Sequence, residues 1–158
     1  MSEERALKAL AESAVDHEIV RHGRVRSLAE AAAARGVEPA AVIKTIVVRR
    51  GEDDFVFVLV PGDRTIAWPR LRNLLGVNRL SMPDADVARD VSGYERGTIT
   101  PFGSTRPWPV VADQRIAGRE VSIGAGAHGV SARVQGDDLI QALDAQVADV
   151  TDPERSGT

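Results

Sequence analysis

Between residues 3 and 14, Leu7, Leu10, Ala11 and Ala14 recur at helical spacing, which predicts an amphipathic helix. Ile19 and Val20 mark a short strand. Ser27 with Glu30 three residues later has the capping-box pattern, so an Ala-rich helix should start there, run to Arg35 and stop at Gly36. Pro39 opens a short helical turn that leads into Lys44. Ile43 to Arg49 and Phe55 to Val60 are β-rich runs flanking Arg50-Gly51-Glu52-Asp53, which predicts a hairpin. Pro61-Gly62-Asp63 reads as a turn. Pro69 to Leu75 suits a helix with proline at its first position, ended by Gly76. A further helix should follow Met82, with Pro83 near its start and Gly93 after its end.

From Gly97 to Pro109 the chain is rich in Gly, Pro, Ser and Thr, and long loops in small domains tend to carry function. Val110 to Ala112, Glu120 to Ile123 and Val130 to Val134 read as strands, Asp137 to Leu143 as a helix, and Val147 to Val150 as a last extended segment. From Thr151 the chain is polar and is expected to fray. The mixed order of elements predicts an α+β fold around a mixed or antiparallel sheet, with one domain over 1–150 and a polar tail over 151–158.

Length and composition narrow the function. A chain of 158 residues is one ordinary domain. With three Phe, two Trp and one Tyr, the core must be built mainly from Val, Ile, Leu and Ala. No cysteine is present, which rules out a disulfide framework, a thiolate nucleophile and a Cys-type zinc site. The acidic start and the short apolar runs, the longest being Phe55 to Val60, predict neither a signal peptide nor a membrane span. A cytoplasmic protein is expected. The net charge of −3 argues against a DNA-coating protein and non-specific nucleic-acid binding, although local arginine clusters remain candidate recognition patches.

Gly124, Gly126 and Gly129 form a literal G-x-G-x-x-G. The dinucleotide reading needs a helix after the motif, and Val130 to Val134 reads as strand. What remains is a glycine-rich hairpin tip or, preferred here, a loop whose bare backbone approaches a ligand. The phosphate-loop and serine-hydrolase motifs are absent. His17, His22 and His128 have no metal spacing, and His128, set between glycines, is a candidate hydrogen-bonding group. Lys44 lies among Ala40, Ala41, Val42, Ile43, Ile46, Val47 and Val48. It either emerges at a strand start or serves as a fixed cation for an anionic ligand. Asp84, Asp86, Asp137 and Asp138 fall at helix starts and read as caps. Arg64, Arg70, Arg72 and Arg79 form a loose basic stretch, either a solvated face or a set of phosphate contacts.

Val42-Ile43-Lys44-Thr45-Ile46-Val47-Val48, Phe57 to Asp63, Gly97-Thr98-Ile99-Thr100-Pro101-Phe102-Gly103, Val121 to Gly126 and the Asp137-Asp138-Leu139 helix come in a set order. Together they resemble the YbaK/EbsC/prolyl-tRNA-editing family across roughly residues 15 to 150. The resemblance implies a compact α+β domain with a mixed, barrel-like sheet and surrounding helices. It implies hydrolysis of the ester joining a misacylated amino acid to the 3′ acceptor end of tRNA, without metal or organic cofactor, with an aminoacyl-tRNA synthetase as a further partner. The family's functional lysine maps onto Lys44, its glycine-proline-glycine loop onto Gly97, Pro101 and Gly103, and its later glycine loop onto Gly124 and Gly126, with His128 nearby. Thr45 and Phe102 join the substrate-binding set. Thr45 resembles the branch associated with Cys-tRNA(Pro) rather than the alanine-editing branch, but the segment after Pro101 lacks that branch's lysine pair, so substrate choice stays open. A non-catalytic aminoacyl-tRNA or protein-binding module on the same fold is the competing reading.

Overall fold

The computed structural model of the chain describes residues 2–154. The chain runs α1 (Ser2–Glu12), β1 (His17–Arg21), α2 (Leu28–Arg35), β2 (Val42–Gly51), β3 (Asp54–Pro61), β4 (Arg64–Ile66), α3 (Trp68–Leu75) and α4 (Ala85–Ser92). A long loop follows, then β5 (Val110–Asp113), β6 (Glu120–Gly124), β7 (Val130–Gln135), α5 (Gly136–Ala142), β8 (Gln146–Ala148) and β9 (Thr151–Pro153). Seven strands form one mixed sheet in the order β1-β7-β6-β2-β3-β5-β8. The β2–β3 hairpin is antiparallel, whereas β2–β6, β3–β5 and β5–β8 are parallel. The fold is therefore α+β as expected. No pairing joins edge strands β1 and β8 among the described residues, so the sheet is not a closed barrel.

The hairpin explains the apolar run of β3. Phe55, Phe57 and Leu59 point into the main core, with Leu10, Tyr94, Ile123 and Leu139. Val56, Val58 and Val60 point the other way, onto Val48, Ile66, Leu71 and Val150. A strand covered on both faces needs no polar alternation. Each of these fully buried side chains stabilises the fold by about 1.5–3 kcal/mol.

The helix ends follow local chemistry. Ser27 accepts a hydrogen bond from the Glu30 N–H, and Asp84 accepts one from the Val87 N–H. Gly36, Gly76 and Gly93 close their helices in the left-handed conformation, where a Cβ would be strained.

Two expectations need correction. Thr151–Pro153 is not frayed: it is β9, paired antiparallel with β4, and Thr151 is fully buried, while 155–158 of the expected tail lie outside the described residues. Arg64 and Arg70 are not a solvated basic face. Arg64 lies in β4, and both guanidinium groups hydrogen-bond the Thr151 carbonyl, at 3.0 and 2.6 Å. The polar sequence of β9 is explained by its place: it forms a two-stranded ribbon at the surface, where Asp152 and Pro153 remain exposed.

Candidate active site

A gap in the main sheet creates the site. The parallel pairing of β2 with β6 spans only Val42↔Ser122 and Ile43↔Ile123. Further along β2, Arg49 exchanges backbone hydrogen bonds with Ser81, at 2.7 and 3.2 Å. Between these points β2 has a strand neighbour on one side only, namely β3. Peptide groups on an antiparallel strand face alternate edges with a period of two. Since Arg49 faces Ser81, the N–H and C=O groups of Thr45 and Val47 face the open edge.

A cleft of about 300 Å³ occupies that gap. Its wall is β2 from Val42 to Val47, closed by Met82 and Pro83, by Ala88 of α4, by Arg96, Gly97 and Ile99 of the long loop, and by Gly124 and Arg35. Among the described residues, no carboxylate and no histidine lines it. Its charged groups are three cations: Arg35, Lys44 and Arg96. Arg35 is half-buried, and burial lowers its pKa from the ordinary guanidinium value. Its Nε has no protein partner, and its Nη1 makes only a long 3.5 Å contact to Ser122 Oγ. Arg35 thus brings unspent donor capacity to the cleft wall.

Lys44 and Thr45, adjacent in sequence, serve opposite faces of β2. Lys44 shares the face of Ile46 and Val48, above β4, and its Nζ donates to the Arg64 carbonyl at 2.9 Å. Arg64 is held in turn: its Nε donates to Thr151 Oγ1 at 2.7 Å, and that hydroxyl donates to Asp113 Oδ1 at 2.9 Å. Asp113 is fully buried and also accepts from the Val150 N–H and from Arg115. The lysine is therefore anchored through β4 and β9 to the end of β5. Thr45 shares the face of Ile43 and Val47, and its buried Oγ1 has no partner within the protein.

The nine residues singled out in the sequence separate into two groups. Lys44, Thr45, Gly97 and Gly124 line the cleft together. Pro101, Phe102, Gly103, Gly126 and His128 do not. Phe102 is buried in the main core, and its carbonyl accepts from the Tyr94 hydroxyl at 2.6 Å. Gly103 has φ +72°, and a Cβ there would fall 2.5 Å from the Arg5 carbonyl oxygen, so this glycine fits the loop against α1. Gly126 has φ +87° and its N–H donates to the Thr98 carbonyl at 3.1 Å, fastening the two glycine-rich loops to each other. His128 is exposed, 4.0 Å from Glu95, and its ring lies beside Gly97, 3.5 Å from where a Cβ on that glycine would sit. Gly97, at φ +90°, adopts a backbone conformation that other residues enter only with strain.

Sequence reasoning missed Arg35, Arg96, Ala88 and Ile99. Arg35 had one usable signal, as the last residue of a helix that ends just before the strand carrying Lys44. The other three enter through α4 and the long loop, which no spacing rule connects to β2.

Residues 22–142 match the aminoacyl-tRNA editing domain family. A segment of 80 residues is 40% identical to the proline–tRNA ligase of Heliobacterium modesticaldum, covering 51% of this chain and 14% of that enzyme. A segment of 101 residues is 32% identical to the proline–tRNA ligase of Thermosipho melanesiensis, covering 64% of this chain and 18% of that enzyme. The chain thus spans less than a fifth of the length of these two ligases. Among solved structures, a candidate trans-editing enzyme for prolyl tRNA synthetase superposes with a TM-score of 0.87 at 27% identity, over 96% of this chain and 97% of that one.

Proposed function

We propose that this chain, which belongs to the aminoacyl-tRNA editing domain family, is a cytoplasmic deacylase that hydrolyses mischarged aminoacyl-tRNA at the ester of the 3′ end. Cys-tRNA(Pro) and Ala-tRNA(Pro) are the substrates to test first, with a synthetase as the partner that would release them. The observation that carries the reading is the make-up of the cleft: open backbone edge and cations, with no carboxylate or histidine among the described side chains that line it.

That combination suits an ester and not an amide. An aminoacyl ester is already activated, so less barrier reduction is required of the protein. Water attacks the carbonyl carbon, the bond to the ribose oxygen breaks, and the products are the free amino acid and a free ribose hydroxyl. The proton lost by the water ends on the departing ribose oxygen, either directly or through a group of the substrate itself. The protein's share is placement and charge stabilisation. Thr45 and Val47 present N–H groups along the open edge where the carbonyl oxygen gains charge. Val47, Ala88 and Ile99 offer apolar surface to a small amino-acid side chain. Lys44, Arg35 and Arg96 attract the terminal ribose-phosphate.

The test is release of labelled amino acid from Cys-tRNA(Pro), Ala-tRNA(Pro) and correctly charged Pro-tRNA(Pro). Lys44→Ala should lower kcat/KM by about 10²-fold or more, the scale of losing a positioned charge contact at a reacting centre. Full activity in that variant sinks the role given to Lys44. Tight tRNA binding with no hydrolysis of any substrate favours a binding module.

A further inference from the structure

A second cleft, of about 480 Å³, lies beyond the Arg49–Ser81 bridge and is lined by Arg49, Arg50, Arg72 and Arg79, with Asn78 and Leu80 between them. Four arginines line this cleft on a chain whose net charge is −3. Only Arg50 is neutralised: it holds Asp54 through two hydrogen bonds, at 3.0 and 3.1 Å. Among the described residues, Arg49, Arg72 and Arg79 form no ion pair with a carboxylate. Arg49 stacks over the Phe55 ring at 5.3 Å, which fixes the direction of its guanidinium without consuming its charge. Arg72 is half-buried on α3, while Arg49 and Arg79 are exposed. Like charges brought together without counter-charge repel one another, so such a cluster suits a polyanionic partner.

Position identifies the polyanion. Both clefts open along one strand: Thr45 to Val47 line the first, and Arg49 to Gly51 line the second. At about 3.3 Å per residue, four to five residues of β2 separate them by about 13–17 Å. That distance corresponds to about four or five stacked nucleotides at about 3.4 Å each along a strand. We infer that the arginine cleft binds backbone phosphates of the tRNA acceptor stem, at the point where the duplex begins behind a 3′ end whose aminoacyl ester lies in the first cleft. The inference rests on the editing reading for what occupies the first cleft. The charge and spacing of the second are independent of whether hydrolysis occurs there.

The test measures binding apart from turnover. A fluorescein-labelled RNA hairpin with an acceptor-stem duplex and a single-stranded 3′ CCA end is titrated with the full chain and with Arg72→Gln/Arg79→Gln, followed by anisotropy across a salt series. Loss of two phosphate contacts should lower the slope of log K against log[salt] by about 1.4–1.8. Taking the electrostatic part as vanishing near 1 M salt, affinity at 0.1 M should fall by about 25- to 60-fold. A control, Lys8→Gln/Arg119→Gln, changes the net charge equally at residues that line neither cleft, and should change the slope little. Equal loss in both double variants, or failure of the unmodified chain to bind the hairpin at low salt, overturns the proposal. Binding that depends on Arg72 and Arg79 without deacylation of any aminoacyl-tRNA upholds the arginine cleft and removes the editing reading. Where deacylation occurs, the Arg72→Gln/Arg79→Gln variant should raise KM for aminoacyl-tRNA and spare a short 3′-aminoacyl-adenosine ester, which does not reach the second cleft. Equal loss on both substrates overturns it.

Discussion

Replacing Thr151 with valine keeps the side chain's shape and deletes one hydroxyl. That hydroxyl accepts from Arg64 Nε at 2.7 Å and donates to Asp113 Oδ1 at 2.9 Å. Hydrogen bonds to charged groups contribute about 1.5–3 kcal/mol each. Two are lost, but Arg64 is only half-buried and its Nη2 keeps the Thr151 carbonyl at 3.0 Å. Asp113 keeps the Val150 N–H and Arg115. The expected net loss is therefore about 2–4 kcal/mol. For a domain of this size that lowers the melting temperature by about 4–16 °C, at about 2–4 °C per kcal/mol. Thr151→Ser retains the hydroxyl and gives up a buried methyl, which costs about 0.5–1.5 kcal/mol. Urea and thermal unfolding of the three proteins should rank them native, serine, valine. Because Lys44 is anchored to the Arg64 carbonyl, the valine variant should also deacylate more slowly than the serine variant at a temperature where both are folded. Equal or greater stability of the valine variant would refute the chain of contacts from Asp113 to Lys44.

The remaining predictions concern the loop and the acid limb of stability. Gly97→Ala adds a Cβ that meets only His128 Cε1, at 3.5 Å, so its cost is backbone strain at φ +90°, about 1–3 kcal/mol; it should depress deacylation while leaving far-UV circular dichroism unchanged. The Asp149 carboxyl is held below its ordinary value, first by the hydrogen bond from Arg115, against a smaller opposing effect of burial. A carboxyl depressed by folding contributes fully above its unfolded pKa of about 3.9, and the contribution is lost as pH falls through the lower folded value. Asp149→Asn should therefore flatten the loss of stability below about pH 4 in unfolding titrations, and leave the shape of the profile above pH 5 unchanged.

How much of this was legible in the sequence depended on the range over which each signal acts. The hairpin, the capped helices and the strands from Val110 to Val134 all rest on local periodicity and end residues, and they fall where those signals place them. β9 failed because Thr151-Asp152-Pro153 has no apolar alternation; its order comes from β4, nearly ninety positions earlier in the chain. For the same reason Arg64 and Arg70 read as a free basic stretch, although their partners, which are backbone carbonyls, the Thr151 hydroxyl and the Asp149 and Asp152 carboxylates, lie about eighty positions further along the chain. Lys44 and Gly97, which line the cleft, were legible as candidates because an apolar setting and a glycine-rich loop are visible locally. Phe102, Gly103 and Gly126 were assigned alongside them by motif; they do not line the cleft, and their neighbours in the structure are Tyr94, Arg5 and Thr98.

One strand then accounts for the arrangement of charge in the molecule. β2 has its partner β6 for two residue pairs and loses it at Lys44. From there its alternation sends Lys44 to the β4–β9 layer, the peptide groups of Thr45 and Val47 to the open edge, and Arg49 to the bridge with Ser81. The open backbone edge of the first cleft and the placement of Arg49 and Arg50 in the second are thus set by the same register. A residue inserted into β2 between Val47 and Arg49 would move the two clefts relative to each other and exchange the faces of the strand beyond it. Substitutions that preserve the register can alter one cleft without the other. That separability is what allows the proposed RNA binding and the proposed ester turnover to be tested independently of each other.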